Sequence, residues 1–141
     1  MNVNSVMTPN PACCTAQTPL QDVARMMLDN DCGQIPVVDE SQRPIGVVTD
    51  RDIAVRVVAQ GRDANRATAA DAMSTPVRTV STDTSLADCV CVMEADQIRR
   101  VPVVDANGRL AGIVSIADLA LSGKREATAE VVKEVSEPMR H

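Results

Sequence analysis

Two stretches of the sequence share a pattern of small, hydroxyl and acidic residues that suits the binding of a phosphorylated sugar. Residues 46–52 read GVVTDRD, and residues 112–118 read GIVSIAD. A hydroxyl can donate to a phosphate oxygen, a carboxylate can accept both hydroxyls of a ribose, and glycine permits close approach of a backbone. The candidate ligand-binding residues of this pattern are Thr49, Asp52, Ser115 and Asp118.

The same pattern also has a structural interpretation, the capping of a helix. Each motif lies where an apolar strand turns into a helix. A Thr or Ser followed three residues later by an acid is a capping box, which satisfies two backbone amides of the first turn. A helix N-terminus also favours phosphate and other anions. The capping and ligand-binding interpretations are compatible, and the sequence leaves both open.

Basic residues are distributed unequally between the two motifs. Arg99 and Arg100 precede the second motif, where the first has glycine and glutamine, and Arg51 lies inside the first, where the second has alanine. Arginine binds phosphate in a bidentate way. We therefore expect the second site to be better equipped for phosphate, with Arg51 serving phosphates across a central cleft. The alternative is that Arg99 and Arg100 are simply solvent-exposed residues at the start of a strand and bind no phosphate.

The spacing of the five cysteines and the single histidine limits the metal and redox chemistry that the chain could perform. No CxxC pair occurs, and the histidine is His141, so zinc-ribbon spacing is absent. Free cytosolic thiols that serve as small apolar residues are one interpretation. The other is a redox or metal role for Cys13 and Cys14, in which a nearby Arg51 would lower a thiol pKa.

The elements that must position these residues are predicted by an internal repeat. Residues 35–39 (IPVVD) recur as residues 101–105 (VPVVD), and the same offset of residue number aligns both motifs without a gap. Each repeat is predicted as strand, helix, strand, strand, helix. In the first repeat the predicted strands are 12–14, 35–39 and 45–48, and the second helix is 50–60. In the second repeat they are 77–80, 101–105 and 110–114, with a helix from 116.

Helical periodicity and turn chemistry support these elements. Thr18 is predicted to cap the first helix, with Pro19 as its first residue. Apolar stripes at helical spacing are formed by Leu20, Val23, Ala24, Met27 and Leu28, and by Leu86, Cys89, Val90 and Met93. Asn107-Gly108 between two apolar runs predicts a hairpin.

The repeat also predicts the domain organisation. Residues 1–61 form the first repeat with its N-terminal segment, 62–70 a polar linker, 71–122 the second repeat, and 123–141 a C-terminal helix and tail. Within that tail, residues 128–135 are predicted to be helical. The element pattern places the chain in the α+β class.

Composition excludes several functions. The chain has 141 residues, a net charge of -5 and no Phe, Tyr or Trp. An acidic surface does not attract nucleic acid or an anionic membrane, and base stacking on aromatic side chains is impossible. The sequence shows neither a membrane-length apolar run nor a secretory signal. We expect a cytoplasmic protein that binds neither nucleic acid nor membrane.

The duplicated Pro-Val-Val-Asp strands and the two Gly-x-x-Thr/Ser-x-x-Asp turns together resemble a tandem CBS-domain pair, or Bateman module, of the small stand-alone bacterial type. The resemblance covers roughly residues 3–122. It implies two βαββα repeats packed as a pseudo-twofold pair, with an adenine nucleotide in the cleft between the CBS repeats. It also implies a homodimer that signals to an unidentified protein partner in trans.

The resemblance carries roles onto individual residues. The Thr or Ser contacts phosphate or ribose, the Asp binds the ribose hydroxyls, and Arg99 and Arg100 reach phosphates. The apolar residue before the strand proline, Ile35 or Val101, lines the adenine pocket. Backbone of the first strand reads the adenine edge, which places Cys13 and Cys14 near one site and Val80 near the other.

Three functions from different classes follow. The leading one is a regulatory signal-transduction module that binds AMP, ADP or ATP, with S-adenosylmethionine or NAD as further candidates. The second is a redox- or metal-responsive protein that uses Cys13 and Cys14, and the third is a structural dimerisation module with vestigial sites. An enzyme is not expected, because the sequence lacks GxxxxGK[ST], GxGxxG and HExxH motifs.

Overall fold

A computed structural model describes residues 1–120, whose helices and strands fall into two units. The first-repeat unit comprises Ala12–Val77, and the second-repeat unit comprises Met1–Pro11 together with the described residues 78–120. The predicted C-terminal tail, residues 123–141, and its helix over residues 128–135 lie outside the described residues.

The order of elements confirms the predicted α+β class and the succession of strands and helices in each repeat. Along the chain the elements are a 3-10 turn (Val3–Ser5), β1 (Thr8–Pro9), α1 (Leu20–Asn30), β2 (Gln34–Val38), β3 (Pro44–Thr49), α2 (Asp50–Ile53), a π-helical turn (Ala54–Val58), α3 (Ala69–Ala72), β4 (Val80–Ser81), α4 (Leu86–Asp96), β5 (Arg100–Val104), β6 (Leu110–Ser115) and α5 (Ile116–Ala120).

Each unit contains a small sheet, and the two sheets have the same layout. The second-repeat sheet has the order β1-β6-β5-β4, in which β5 and β6 are antiparallel and β4 is parallel to β5. In the first-repeat unit β2 and β3 form the antiparallel pair. Single bridges there replace the outer strands, from Cys14 to Val37 and from Ser74 to Val47. The predicted strands over 12–14 and 77–80 are thus reduced to one bridge and to β4.

The antiparallel edge of each sheet comes from the segment that precedes the other repeat. Thr8 lies before the first repeat in sequence but pairs with Ile113 of the second, whereas Ser74 lies before the second repeat and pairs with Val47 of the first. The predicted first domain, residues 1–61, therefore differs from the unit that the structure forms. An antiparallel ladder to a distant strand satisfies the backbone of each leading segment.

The predicted linker, residues 62–70, is part of the first-repeat unit and is not merely a polar connection. Ala67 and Ala69 are buried in the core, and the backbone amides of Leu20 and Ala69 donate to the carbonyls of Ala67 and Thr18. Thr68 and Asp71 form a capping box at the start of α3. The small alanine side chains allow this close packing against the start of α1.

Two details of α1 differ from the prediction. The helix begins at Leu20 with Pro19 as its N-cap, and Thr18 accepts a hydrogen bond from the amide of Thr15 instead of capping the helix. Leu20, Val23 and Met27 are buried as predicted, but Ala24 is exposed and Leu28 is 70% exposed. The helix thus buries a narrower stripe than the sequence indicates.

Aliphatic side chains and cysteine build both cores, as the absence of aromatic residues requires. The first-repeat core contains Leu20, Val23, Ile35, Val37, Val48, Val57 and Cys14, and the second-repeat core contains Val3, Leu86, Cys89, Val90, Met93, Val101, Val103, Val114 and Leu119. The predicted core role of Cys89 in α4 is confirmed.

The two hairpin loops share one geometry but not one residue type. In the loop between β5 and β6, the carboxylate of Asp105 accepts the amides of Asn107 and Arg109, and Gly108 has a φ of 79°. The loop between β2 and β3 repeats this arrangement, but its left-handed position is Gln42, with a φ of 65°. The predicted hairpin at Asn107-Gly108 is confirmed.

Candidate functional site

Both candidate motifs form the capping box that the sequence allows. The Thr49 hydroxyl accepts the amide of Asp52 at 3.0 Å, and the Asp52 carboxylate accepts the amide of Thr49 at 3.0 Å. Ser115 and Asp118 make the same pair of bonds at 3.1 and 3.0 Å. Each hydroxyl acts here as an acceptor, so its own hydrogen is free to donate to a ligand. The capping box therefore orients both side chains without using up their binding capacity.

The Asp52 carboxylate has two additional partners that the sequence reading missed. The Ser74 hydroxyl donates to it at 3.3 Å, and Arg56 Nε lies 3.9 Å from Asp52 Oδ1. Arg56 also donates to the carbonyls of Ala72 and Met73 at 3.3 and 3.0 Å. Arg56 stands one helical turn after Asp52, and this spacing was the available signal for the ion pair. These contacts hold Asp52 against the segment that follows α3.

The predicted role of the helix N-terminus as an anion site is not supported in the first repeat. The first amides of α2 are occupied: Asp50 donates to the Gly33 carbonyl at 2.9 Å, Arg51 to the Asp50 carboxylate at 2.8 Å, and Asp52 to Thr49. In the second repeat, the amide of Ile116 donates to the Arg99 carbonyl at 3.0 Å. In the first repeat, side chains and not helix amides would therefore have to attract a phosphate group.

The motif glycines make room for protein and not for a ligand. A Cβ on Gly112 would lie 2.9 Å from the Thr8 carbonyl oxygen and 2.5 Å from Met7 Sδ. A Cβ on Gly46 would lie 3.0 Å from both Met73 Sδ and the Ser74 carbonyl oxygen. The close approach predicted for these glycines exists, but its partner is the leading segment of the chain.

Cys14 and Val80, whose segments are assigned to adenine recognition, lie at the sheet edge where the outer segment runs parallel to its neighbouring strand. Cys14 uses its amide and its carbonyl to pair with β2, at 3.0 and 2.8 Å. Backbone groups alternate in direction along a strand, so the amide and carbonyl of Cys13 point away from β2. Val80 occupies the matching place beside β5. The reading of an adenine edge by this backbone stays a prediction.

Ile35 and Val101 are placed differently from Cys13. Their side chains are 1% and 0% exposed and pack into the two cores. Their role as walls of an adenine pocket stays a prediction.

The arginines divide between the units as their sequence positions indicate. Arg100 is paired across the hairpin with Ser115, so the two side chains share one face of the sheet. Arg99 precedes it and is exposed. Arg51 is exposed on α2 of the first-repeat unit. The structure thus brings Arg100 to the second motif.

Burial makes the thiols weak acids, contrary to the idea that Arg51 lowers a thiol pKa. Burial raises the pKa of the Cys13 thiol, and it raises the pKa of Cys14 to about 12, with a smaller contribution from Cys13. Burial also raises the pKa of Cys89 to about 11. These thiols are protonated at neutral pH and are poor nucleophiles and poor metal ligands in that form.

Among residues 1–120, no three Cys, His, Asp or Glu side chains converge closely enough to hold a metal ion. Within the same residues, none of the helices is long and apolar enough to cross a bilayer.

Comparison with known proteins gives matches over nearly the whole chain. A family model described as the CBS domain matches residues 3–59 and 69–122. Hypoxic response protein 1 of Mycobacterium tuberculosis is 34% identical over 95% of this chain and 93% of its own length. The uncharacterized protein MK0525 of Methanopyrus kandleri is 40% identical over 70% of this chain, which covers half of that protein's length.

Solved structures resemble the fold closely, and several contain bound groups. Hypoxic Response Protein I with two coordinated zinc ions has a TM-score of 0.79 at 34% identity, covering 85% of this chain and 97% of its own. The CBS domain pair of protein MJ0100, in complex with methylthioadenosine and S-adenosylmethionine, has a TM-score of 0.74 at 27% identity, with coverages of 85% and 93%. CBS domain protein PAE2072 from Pyrobaculum aerophilum, complexed with AMP, has a TM-score of 0.78 at 27% identity, with coverages of 94% and 99%.

Proposed function

The chain belongs to the CBS-domain family, and on this premise we propose that it is a regulatory module that binds an adenosyl ligand and catalyses no reaction. The observation that carries the proposal is the pair of oriented Thr/Ser-x-x-Asp turns, one in each unit. Relatives of the same fold have been crystallised with AMP and with methylthioadenosine and S-adenosylmethionine, which supports an adenosyl ligand.

The geometry of each turn suits a ribose bearing a polar group. In the second-repeat unit the Asp118 carboxylate is fixed by the Ser115 amide, so it is oriented before a ligand arrives. A carboxylate has about four acceptor positions, and one capping bond leaves room for both ribose hydroxyls. The Ser115 hydroxyl and the Arg100 guanidinium then face the 5′ side of the ligand. Preorganisation of this kind lowers the entropic cost of binding.

Catalysis is disfavoured by the same arrangement. Asp52 and Asp118 occupy equivalent positions in two copies of one repeat, and each is engaged in its own capping box. An acid–base pair requires two carboxylates in different environments at one site. Two equivalent carboxylates in two units describe two binding sites better than one catalytic site.

The redox- or metal-responsive alternative lacks support from the thiols. Burial raises the pKa values of Cys13 and Cys14, which disfavours the thiolate that oxidation and metal binding require. The zinc in the hypoxic response relative belongs to that protein.

A homodimer is the second part of the proposal. The first-repeat unit exposes three large apolar side chains on its helical elements: Leu28 on α1 at 70%, and Val55 and Val58 after α2 at 46% and 68%. Burial of such side chains between two copies would be favourable. Nucleotide binding would bias the packing of the dimer, and a protein partner in trans would respond to that packing. Light scattering on wild type and on Leu28→Glu would test the dimer, which the variant should weaken.

Calorimetry of reduced protein with AMP, ADP, ATP, S-adenosylmethionine and NAD tests ligand binding. We expect micromolar affinity, about -8 kcal/mol, for at least one of them. Asp118→Asn should weaken binding, because an amide offers one acceptor to the ribose where a carboxylate offers two. The matched control is Asp105→Asn at the opposite end of the β5–β6 hairpin, which should bind as wild type does. Absence of binding by all five ligands would favour a purely structural module.

A further inference from the structure

The two sites differ in charge at the strand entry, beside the residues that would meet the 5′ group of an adenosyl ligand. In the second repeat, Arg99 and Arg100 enter β5, and Ile116 begins the helix. At the matching positions of the first repeat stand Gly33, Gln34 and Asp50. The second repeat therefore presents two positive charges where the first presents one negative charge.

Contacts in the first-repeat unit fix that negative charge in place. The Asp50 amide donates to the Gly33 carbonyl at 2.9 Å, and the Asp50 carboxylate accepts the Arg51 amide at 2.8 Å. Asp50 Oδ2 lies 2.8 Å from the position that a Cβ on Gly33 would take. The carboxylate thus lies against the position from which a side chain on Gly33, the counterpart of Arg99, would project.

The strand register relates the charge difference to the hydroxyl of each motif. Gln34 pairs with Thr49 in the first repeat as Arg100 pairs with Ser115 in the second. Asp50 follows Thr49 directly. A phosphate that accepted a hydrogen bond from Thr49 would therefore lack the paired arginine of the second repeat, and the next residue along the chain would add a negative charge that repels it.

The basic residues of the first repeat do not reverse this difference. Arg51 is adjacent to Asp50 in sequence, so the two side chains together add no net charge. Arg56 is bound to the Asp52 carboxylate and to the carbonyls of Ala72 and Met73. Neither arginine stands at the strand entry, where the second repeat has Arg99 and Arg100.

We propose that the first-repeat site selects an adenosyl ligand without a phosphate, such as an adenosine thioether or sulfonium, while the second-repeat site selects a 5′-phosphorylated one. The inference rests on the proposed function and deepens it, since it assigns a different chemical class to each site. A sulfonium carries a positive charge that the Asp50 carboxylate attracts, and a thioether carries no charge for it to repel. Two signals of different chemistry would then be read by one chain.

Calorimetry with AMP and with methylthioadenosine, on reduced wild type and on one variant for each site, tests this assignment. Asp52→Asn and Asp118→Asn keep an oxygen that can accept the capping amide, so both variants should fold, which circular dichroism checks. Asp118→Asn should weaken AMP binding about 10- to 100-fold. The affinity of the first-repeat site for methylthioadenosine should stay within about 2-fold of wild type in this variant. Asp52→Asn should weaken methylthioadenosine binding by a similar factor and leave AMP binding within about 2-fold of wild type.

A second experiment attempts to create an AMP site in the first repeat. The double variant Gly33→Arg with Asp50→Ile gives the first repeat the arginine and the isoleucine of the second repeat. It should add a second AMP-binding event, which stays in the presence of Asp118→Asn. Gly33→Ala is the matched control, since it adds a Cβ without a charge and should add no AMP site.

The outcomes separate the inference from the function on which it rests. AMP binding that is lost in Asp52→Asn, or that is equally strong at both sites, would overturn the assignment of ligand classes while the adenosyl-binding function stands. Absence of binding by both ligands in the wild-type protein would overturn the proposed function and the inference with it.

Discussion

Replacement of Gly112 by alanine tests the packing of the leading segment against β6. The added Cβ would lie 2.5 Å from Met7 Sδ, 2.9 Å from Met7 Cγ and 2.9 Å from the Thr8 carbonyl oxygen. Carbon atoms pack best at about 3.5–4.0 Å, so the segment must move back by roughly 0.5–1 Å. Met7 can rotate, but the Thr8 carbonyl belongs to the β1–β6 ladder and cannot move alone.

Overpacking of this kind costs about 1–3 kcal/mol of the free energy of unfolding. For a domain of this size, roughly 3 °C of Tm corresponds to each kcal/mol, so the midpoint should fall by roughly 3–9 °C. Differential scanning calorimetry of the unliganded protein measures this change and shows whether the two units unfold together.

Two further variants isolate the steric cause. Met7→Ala removes the nearest atoms, so the double variant Met7→Ala with Gly112→Ala should lose less stability than the sum of the single variants. Gly33→Ala makes the same chemical change where the nearest atoms belong to the exposed Asp50 carboxylate, and it should cost less than about 1 kcal/mol. A Gly112→Ala protein as stable as wild type, or strictly additive effects with Met7→Ala, would refute the steric reasoning.

Three further predictions concern the loops, the surface charges and the thiols. Gln42→Gly should raise the free energy of unfolding by about 0.5–1 kcal/mol in urea denaturation, because Gln42 holds a left-handed φ of 65°; an unchanged or lower stability would contradict this. The hydrogen bond from Arg78 holds the pKa of Asp96 below its usual range, so this carboxylate stabilises the fold above its unfolded pKa and ceases to do so as the pH falls through the folded value. Asp96→Asn should therefore flatten the loss of stability below about pH 4 in acid titrations followed by circular dichroism; an acid profile identical to that of wild type would count against the pairing. In alkylation by iodoacetamide at neutral pH, mass spectrometry should find exposed Cys91 modified well before Cys14, whose pKa burial raises to about 12, and equal rates would show that Cys14 is accessible.

Local patterns predicted the inner part of each unit well. The duplicated Pro-Val-Val-Asp runs gave β2 and β5 within one or two residues, and the Asn107-Gly108 turn gave the hairpin that follows β5. The capping boxes were also predicted, because a hydroxyl and an acid three residues apart satisfy each other's amides locally. Interactions within a few residues of sequence are readable from sequence.

Long-range pairing was not predicted. Thr8 pairs with a strand near the far end of the described chain, and no periodicity in so short a segment indicates that partner. The contact of Asp52 with Ser74 depends on the same leading-segment arrangement in the first-repeat unit. The charge carried by Asp50 was visible in the sequence, but only the space it occupies beside Gly33 gives it a role.

The exchange of leading segments also sets the order in which the chain can be completed during synthesis. The first-repeat unit closes as soon as the segment after α3 has left the ribosome, because all of its strands precede that point. Among the strands of residues 1–120, β1 is made first, yet its partner β6 is made last. Of the described strands, β1 therefore waits longest for its partner, and the second-repeat unit closes only when nearly the whole described chain has been translated.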